Sequence, residues 1–225
     1  MPAGTASKRS GSITTTSNGQ VIDGYDVSGG INVVHDNVTI RRTRVVGSGI
    51  AIDPSTSGTV IEDCELDGSP MTNANAAVAH ARYQIRRCNI HHFGEGLTAS
   101  GDVVIEGNYL HSFRNFLSQG AHQDGIQMEW GSNMMVRNNT VIIGVDGANS
   151  AIWVSGQPHS NVVIENNIVA GGSFAIGAGD QATVRNNRIS RAVWPNGGYF
   201  GPFTYTGGSA AVTGNVWHET GQPVS

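Results

Sequence analysis

Ile-Glu-Asn-Asn-Ile-Val, at residues 164–169, returns at residues 184–189 as Val-Arg-Asn-Asn-Arg-Ile. The aliphatic residue that opens this segment recurs nine times along the chain, at intervals of 18 to 31 residues. These anchors are Ile22, Ile40, Ile61, Ile85, Ile105, Val136, Ile164, Val184 and Val212. Repeats of this length, with insertions of variable size between them, indicate a solenoid.

The residue after each of the first eight anchors is charged, and its sign alternates strictly along the chain. These residues, the charge column, are Asp23, Arg41, Glu62, Arg86, Glu106, Arg137, Glu165 and Arg185. Alternation is expected if consecutive repeats lie on top of one another, because opposite charges then become neighbours. We interpret the charge column as structural. Its main role is to disfavour a shift in register by one coil, because each exposed ion pair contributes only about 0–1 kcal/mol to stability.

The spacing within each repeat is that of strands. Inward aliphatic residues such as Ile40 and Val45 flank a polar pair, and no stripe with a 3.6-residue period is present. A further short apolar strand precedes most anchors, for example at 125–128 and 151–154, so each coil holds two or three strands. The sequence predicts an all-β fold, a right-handed parallel β-helix of about nine coils, and excludes helical repeats. At roughly 4.8 Å per coil the rod is about 40 Å long.

A second column lies two residues after the charged one and is built from small polar residues. Its members are Thr43, Cys64, Cys88, Asn108, Asn139, Asn167, Asn187 and Asn215. Stacked asparagines can pair their amides between coils while they satisfy turn backbone groups. We interpret Cys64 and Cys88, on neighbouring coils, as buried thiols. A disulfide is the alternative, although parallel side chains in register give poor torsion angles.

The composition fits one elongated domain. The 225 residues include 31 glycines and 13% charged residues, and no linker divides them. The net charge is −4 and Lys8 is the single lysine, which argues against nucleic acid as a partner. No apolar run is long enough to cross a membrane.

The repeated segment, the asparagine column and the Gly-Ile strands resemble the pectate-lyase-like superfamily of right-handed parallel β-helices, over residues 19–218. Residues 121–127, Ala-His-Gln-Asp-Gly-Ile-Gln, are similar to an Ala-His-x-Asp-Gly-Ile-Gln motif of uncharacterised actinobacterial and phage β-helix proteins. The resemblance implies contact with a carbohydrate on the flank of the helix, by binding or by cleavage. Fold alone does not decide between the two.

The catalytic signatures of the characterised branches are mostly missing. The chain has no polygalacturonase motifs, no lysine in the coils to act as a base and no Asp-Pro-His-Asp of alginate epimerases. The pectate lyase mechanism, with calcium and an arginine base, has no matching motif but stays open. Whether the protein is an enzyme is therefore undecided by the sequence, and a hydrolase or lyase is expected if it is one.

Composition distinguishes the two ends of the chain from the repeats. We divide it into a flexible leader or docking arm at 1–19, a β-helix domain at 20–218 with a C-terminal cap from about 194, and a tail at 219–225. The leader has no apolar core, so it is not a secretory signal. We expect an extracellular or virion-associated protein whose leader contacts a virion protein or a second copy of the chain.

Two carboxylates are candidates for catalysis. Glu95 and Asp124 each precede the glycine of a strand on neighbouring coils, which places them about 4.8 Å apart. Like charges this close push two pKa values apart and leave an acid beside a base, an arrangement that suits a retaining glycosidase. His122 adjoins them. The alternative is that Asp124 is a turn residue that accepts backbone N–H groups.

Two further histidines and four other residues complete the candidate site. Asp67, His91 and His111 share one column, and we assign His91 and His111 as polar helpers in catalysis, or as a structural ladder. For substrate binding we expect Trp153, Gln127, Glu129 and Arg114, with the Trp153 ring one coil after Gln127 as a sugar-stacking surface.

We assign no cofactor and no metal, because no tight ligand spacing such as a paired-histidine motif on one element is present. Calcium held by Asp67, Glu95 or Asp124 is the alternative.

Two functional classes remain. The first is a carbohydrate-active β-helix protein that binds a polysaccharide or cell-surface glycan on its flank, with cleavage left open. The second is a non-catalytic phage virion or cell-surface protein that uses the rod as a structural or glycan-binding element.

Overall fold

The computed structural model describes residues 8–157 and 159–224, and strands account for nearly all of its regular structure. A 3-10 turn at Leu117–Gln119 lies in the longest insertion. In chain order the strands are β1 (Lys8–Ser10), β2 (Ile13–Thr14), β3 (Val21–Asp23), β4 (Tyr25–Val33), β5 (Thr39–Arg41), β6 (Arg44–Ile52), β7 (Thr59–Glu62), β8 (Glu65–Asp67), β9 (Ala76–Ala79), β10 (Tyr83–Arg86), β11 (Asn89–His91), β12 (Glu95–Ala99), β13 (Val103–Glu106), β14 (Tyr109–His111), β15 (Ile126–Met128), β16 (Met134–Arg137), β17 (Thr140–Ile143), β18 (Ser150–Val154), β19 (Val162–Glu165), β20 (Ile168–Gly171), β21 (Phe174–Ala178), β22 (Ala182–Arg185), β23 (Arg188–Ile189), β24 (Gly201–Tyr205), β25 (Ala211–Thr213) and β26 (Val216–Trp217).

These strands pair in parallel to form three stacks. The first stack is β3, β5, β7, β10, β13, β16, β19, β22 and β25. The second stack contains β8, β11, β14, β17, β20, β23 and β26, and the third contains β9, β12, β15, β18, β21 and β24. The nine-residue strands β4 and β6 run through both the second and third stacks. Most coils therefore contain three strands, and the predicted all-β parallel solenoid is confirmed.

The anchors occupy the first stack in register, each above the next. Those from Ile22 to Val184 are buried in one continuous core, and Val212 of the last coil packs against that core. Side chains alternate between the two faces of a strand, so the residue after each anchor points to solvent. The prediction of one core with the charge column outside it is confirmed.

The charge column forms ion pairs of one repeated kind: each arginine contacts the acid of the coil before it. The pairs and their N–O distances are Arg41–Asp23 at 3.1 Å, Arg86–Glu62 at 2.9 Å, Arg137–Glu106 at 3.0 Å and Arg185–Glu165 at 2.7 Å.

The asparagine column is a hydrogen-bonded ladder inside the rod. Asn167 Nδ2 donates to Asn187 Oδ1 at 2.9 Å and to the carbonyl of Val136 at 2.9 Å. Its Oδ1 accepts from both the backbone N and the Nδ2 of Asn139, at 2.9 and 3.0 Å. The same pattern repeats from Asn108 to Asn215, so every buried amide in the ladder is satisfied.

Cys64 and Cys88 continue this column as free, buried thiols. Each Sγ lies near a backbone carbonyl of its own turn, that of Glu62 at 3.2 Å and that of Arg86 at 3.3 Å. The interpretation as stacked thiols is the one that the structure shows, and the disulfide alternative is not formed.

Both ends of the described chain contact the rod. β1 and β2, at residues 8–14 of the predicted leader, pair with β4 and cover the first coil. Residues 1–7 lie outside the described residues. At the other end, β24 extends the third stack within the predicted cap, and the tail folds back so that Val224 N donates to Asn215 O at 3.0 Å. Within the described part of the chain, no helix is long and apolar enough to span a membrane.

Candidate functional site

A groove on the outer face of the third stack holds several of the predicted substrate-binding residues. Its volume is about 570 Å³. The lining residues are Leu117, Ala121, His122, Gln127, Glu129, Trp130, Gly147, Asn149, Trp153, Ser155 and Ser173. Three of the four residues that the sequence assigned to substrate binding, together with His122, therefore line one surface.

Trp153 lies at the centre of this surface because of its register. It pairs with Gln127 of the preceding coil and with Gly177 of the following one. Its chain neighbours Ile152 and Val154 are buried, so alternation along β18 turns the indole outward. The predicted position of Trp153 beside Gln127, one coil on, is confirmed.

Trp130 also lines the groove, and it was not identified from the sequence. Its side chain is 58% exposed, among the most exposed of the large apolar residues described. The signal available in the sequence was an aromatic residue between Glu129 and Gly131, directly after a strand, where a turn leaves a large side chain without a core to fill.

The polar residues of the groove are held by hydrogen bonds. Gln127 Nε2 lies 3.4 Å from Nδ1 of the exposed His122, and the His122 carbonyl accepts from Asn149 N at 3.0 Å. Gln127 is itself buried to 8% exposure. The groove thus combines two indole rings with fixed amide groups, an imidazole and the carboxylate of Glu129.

The carboxylate of Glu95 is engaged by the turn of the next coil. Its Oε1 accepts from Gln123 N and its Oε2 from Asp124 N, both at 2.8 Å. Burial raises the pKa of Glu95, although these two backbone hydrogen bonds and the nearby His122 act against that effect.

Asp124 occupies the same place one coil further and is only 1% exposed. Its Oδ1 accepts from Ser150 N and Asn149 Nδ2, both at 3.0 Å. Burial raises the pKa of Asp124 to about 8, and the adjacent charge of Glu95 contributes in the same direction. Each carboxylate therefore accepts hydrogen bonds from the turn of the following coil. For Asp124 this is the alternative interpretation, that of a turn residue that accepts backbone N–H groups. Neither residue lines the groove.

Arg114 lies away from the groove, in contrast to its predicted role. Its guanidinium donates from Nη1 to the carbonyls of Ser69, at 2.9 Å, and Met71. It also lies over the Phe116 ring at 5.1 Å. Arg114 thus joins two insertions that lie two coils apart, the one after β14 and the one between β8 and β9.

His91 and His111 lie on a different surface, the outer face of the second stack. They are in register with Asp67, as predicted. The His111 ring stacks on Tyr109 at 4.1 Å and on His91 at 5.3 Å between centroids. Burial, and then the electrostatic influence of neighbouring His91, lower the pKa of His111. The three histidines selected from the sequence are thus divided between two faces.

Asp67, His91 and His92 form the group of described side chains that could hold a metal ion, with ligand atoms all within 4.8 Å of one another. Of the residues named for calcium, Asp67 contacts histidines, while Glu95 and Asp124 accept hydrogen bonds from backbone amides, and calcium binding by one of them stays a prediction.

With this geometry the chain can be compared with known families. A family model described as a right handed beta helix region matches residues 48–216, and the chain belongs to that family. The match confirms the right-handed β-helix assignment. No curated protein and no solved structure matches the chain. The pectate-lyase-like specificity and the meaning of residues 121–127 stay predictions.

Proposed function

We propose that the protein binds a polysaccharide or cell-surface glycan in the groove of the third stack. The observation that carries this proposal is the presence of Trp130 and Trp153 in one solvent-accessible groove, beside side chains that can bond hydroxyl groups. Indole rings present a large apolar surface to the C–H faces of sugar rings, and amides and carboxylates recognise their hydroxyls.

Support also comes from the rigidity of the platform. The Trp153 ring rests on the backbone of Gly177, and Gln127 is fixed by burial. A ligand that meets side chains already held in one conformation loses less conformational entropy on binding. The row of outward residues Thr98, Gln127, Trp153 and Gly177 runs along the rod. An extended glycan lying along that row would meet successive coils.

Binding is favoured over cleavage by the state of the two predicted catalytic carboxylates. Glu95 and Asp124 both accept backbone hydrogen bonds from the next coil, and Asp124 is almost fully buried. His122 and Glu129 are the ionisable residues that remain on the groove surface. A glycan-binding role agrees with an extracellular or virion-associated location, where such ligands are met.

The test is a panel of acidic and neutral polysaccharides, with affinity measured by electrophoresis in glycan-containing gels and by calorimetry. Trp153→Ala and Trp130→Ala should each weaken binding about tenfold or more, since truncation of a tryptophan that anchors a binding surface costs about 2 kcal/mol or more. Tyr109→Ala, which removes an exposed aromatic ring from the second stack, is the matched control.

Wild-type affinity in both tryptophan variants, or no binding to any polysaccharide, would refute the groove as a glycan site. Reducing ends or unsaturated products released by the wild type would establish cleavage, and Glu129→Gln and His122→Ala would then identify the residues that perform it.

A further inference from the structure

Asp67, His91 and His92 direct three ligand atoms at one another on the second stack. His91 Nδ1 lies 2.8 Å from His92 Nδ1 and 3.6 Å from Asp67 Oδ1, and His92 Nδ1 lies 3.0 Å from Asp67 Oδ1. We propose that these three atoms form a binding site for a divalent transition metal, with Zn²⁺ as the ion that the ligand set suits best.

The separations fit a single ion. Ligand atoms at about 2.0 to 2.1 Å from tetrahedral Zn²⁺ lie roughly 3.3 Å apart. The three measured separations, 2.8, 3.0 and 3.6 Å, bracket that value. Two imidazoles and one carboxylate are also a ligand combination that zinc and other late divalent metals accept.

The backbone of His92 makes the convergence achievable. Consecutive residues of an extended strand point to opposite faces, so adjacent histidines normally diverge. His92 has φ of 63°, in the left-handed region that non-glycine residues rarely adopt. This conformation brings its ring to the same side as that of His91, with the ring centroids 4.6 Å apart.

The surrounding residues orient the ligand atoms. His91 Nε2 lies 3.2 Å from Glu65 Oε1, a contact that places the imidazole proton on Nε2 and leaves the Nδ1 lone pair for a metal. A carboxylate behind a ligating histidine is the usual outer partner in metal sites. On the other side, Arg44 Nη2 donates to Asp67 Oδ2 at 3.3 Å, and Oδ1 remains directed at the two histidines.

Charge and access also suit a cation. Arg44 is surrounded by Asp26, Glu65 and Asp67, so with neutral histidines this patch carries more negative than positive charge. The side chains of Asp67 and His91 are each 10% exposed, whereas that of His92 is 42% exposed. The ion would therefore be approached from the His92 side, where water can complete its coordination.

The site would join neighbouring coils. Asp67 ends β8, and His91 ends β11 of the next coil, in register with it. A metal that binds the folded chain and not the unfolded one raises the stability of the fold. This site is independent of the proposed glycan groove, which lies on the third stack.

The experiment uses the full chain purified without a polyhistidine tag and treated with a chelator. Zn²⁺ binding is measured by calorimetry, and Co²⁺ is added as a spectroscopic probe whose visible absorption reports its coordination. We expect one ion per chain and a higher melting temperature with Zn²⁺. His92→Gly should weaken binding at least tenfold while it relieves the left-handed backbone, so that folding is preserved. Glu65→Gln should weaken binding by about tenfold or more through His91.

His80→Gly is the matched control, because His80 is an exposed histidine with a positive φ of 94° that lies outside the cluster, in the turn between β9 and β10. It should bind as the wild type does. The proposal is overturned if the wild type binds neither ion stoichiometrically, or if His92→Gly binds both with unchanged affinity, since the histidine contacts would then be hydrogen bonds alone.

Discussion

The indole ring of Trp153 lies against the backbone of Gly177 in the next coil, so closely that a Cβ on Gly177 would be 2.3 Å from Trp153 Cε3. Real Cβ atoms do not approach a ring to that distance, and the ring or the strand would have to move. The orientation of the tryptophan platform thus depends on the absence of a side chain one coil away.

We therefore expect Gly177→Ala to destabilise the protein by about 1 to 3 kcal/mol, the usual range for overpacking, and to weaken glycan binding. In a Trp153→Ala background the same substitution should have almost no effect on stability, because the atoms that clash are gone. Urea unfolding of the two single variants and the double variant measures the coupling directly. Additive effects would contradict the contact.

The asparagine ladder should be more sensitive to substitution than the turn beside it. Asn167→Ala removes the acceptor of two donors on Asn139 and the donor to the Val136 carbonyl, all buried. Each unsatisfied buried group costs about 1 to 3 kcal/mol, so we expect a loss of more than about 3 kcal/mol in the free energy of unfolding.

The control for the ladder is Asn166→Gly, one residue earlier. Asn166 is exposed and has φ of 57°, a conformation that glycine adopts freely. Its substitution should change the free energy of unfolding by less than about 0.5 kcal/mol. Equal losses for the two variants would mean that the amide contacts are not what stabilises the turn.

Asp124 should make stability depend on pH in a defined direction. Its pKa of about 8 in the folded chain exceeds the 3.8 of an ordinary aspartate, so the folded state binds the proton more tightly. The stability that this group contributes is complete below about pH 4 and is lost as the pH rises through about 8. Asp124→Asn carries no charge at any pH and should abolish that decline.

The measurement is the free energy of unfolding of wild type and Asp124→Asn at several values between about pH 4 and pH 9. The wild type should weaken relative to the variant as the pH rises. Parallel curves would show that Asp124 is ionised throughout. Glycan binding by Asp124→Asn should match the wild type, because Asp124 does not line the groove.

Val184 and Arg185 provide a comparison of core and surface on adjacent residues. Val184 is fully buried, so Val184→Asp would place an unpaired carboxylate in the core and prevent folding. Arg185→Ser removes an ion pair to Glu165 whose arginine is half exposed, and should cost at most about 1 kcal/mol. Circular dichroism and urea titration distinguish these outcomes, and comparable losses would disprove the assignment of inner and outer faces.

The fold could be predicted from the sequence because stacking repeats one environment along each column. The residues of the asparagine column, for example, lie at the same turn in successive coils. One recurring residue type in the sequence therefore reveals a shared position in the structure. The same reasoning placed Trp153 beside Gln127 and Asp67 beside His91, since register alone determines those neighbours.

The rest of the site depends on segments that do not repeat. The contacts of Arg114 are set by how two insertions meet, and no period in the sequence describes that meeting. The burial of Asp124 depends on the turn supplied by the following coil. The convergence of His91 and His92 depends on the left-handed backbone of His92, a conformation that histidine adopts only occasionally. Strand β1 was missed because Lys8–Ser10 has no apolar pattern and pairs through its backbone at the end of the rod.

The ion pairs of the charge column have a consequence for how such a chain can lengthen. Each arginine contacts the acid of the preceding coil, which groups the coils in twos. Duplicating one coil in the gene would place two like charges side by side, whereas duplicating two neighbouring coils would preserve every contact. Growth of this rod, whether by recombination or by design, is therefore easiest in even numbers of coils.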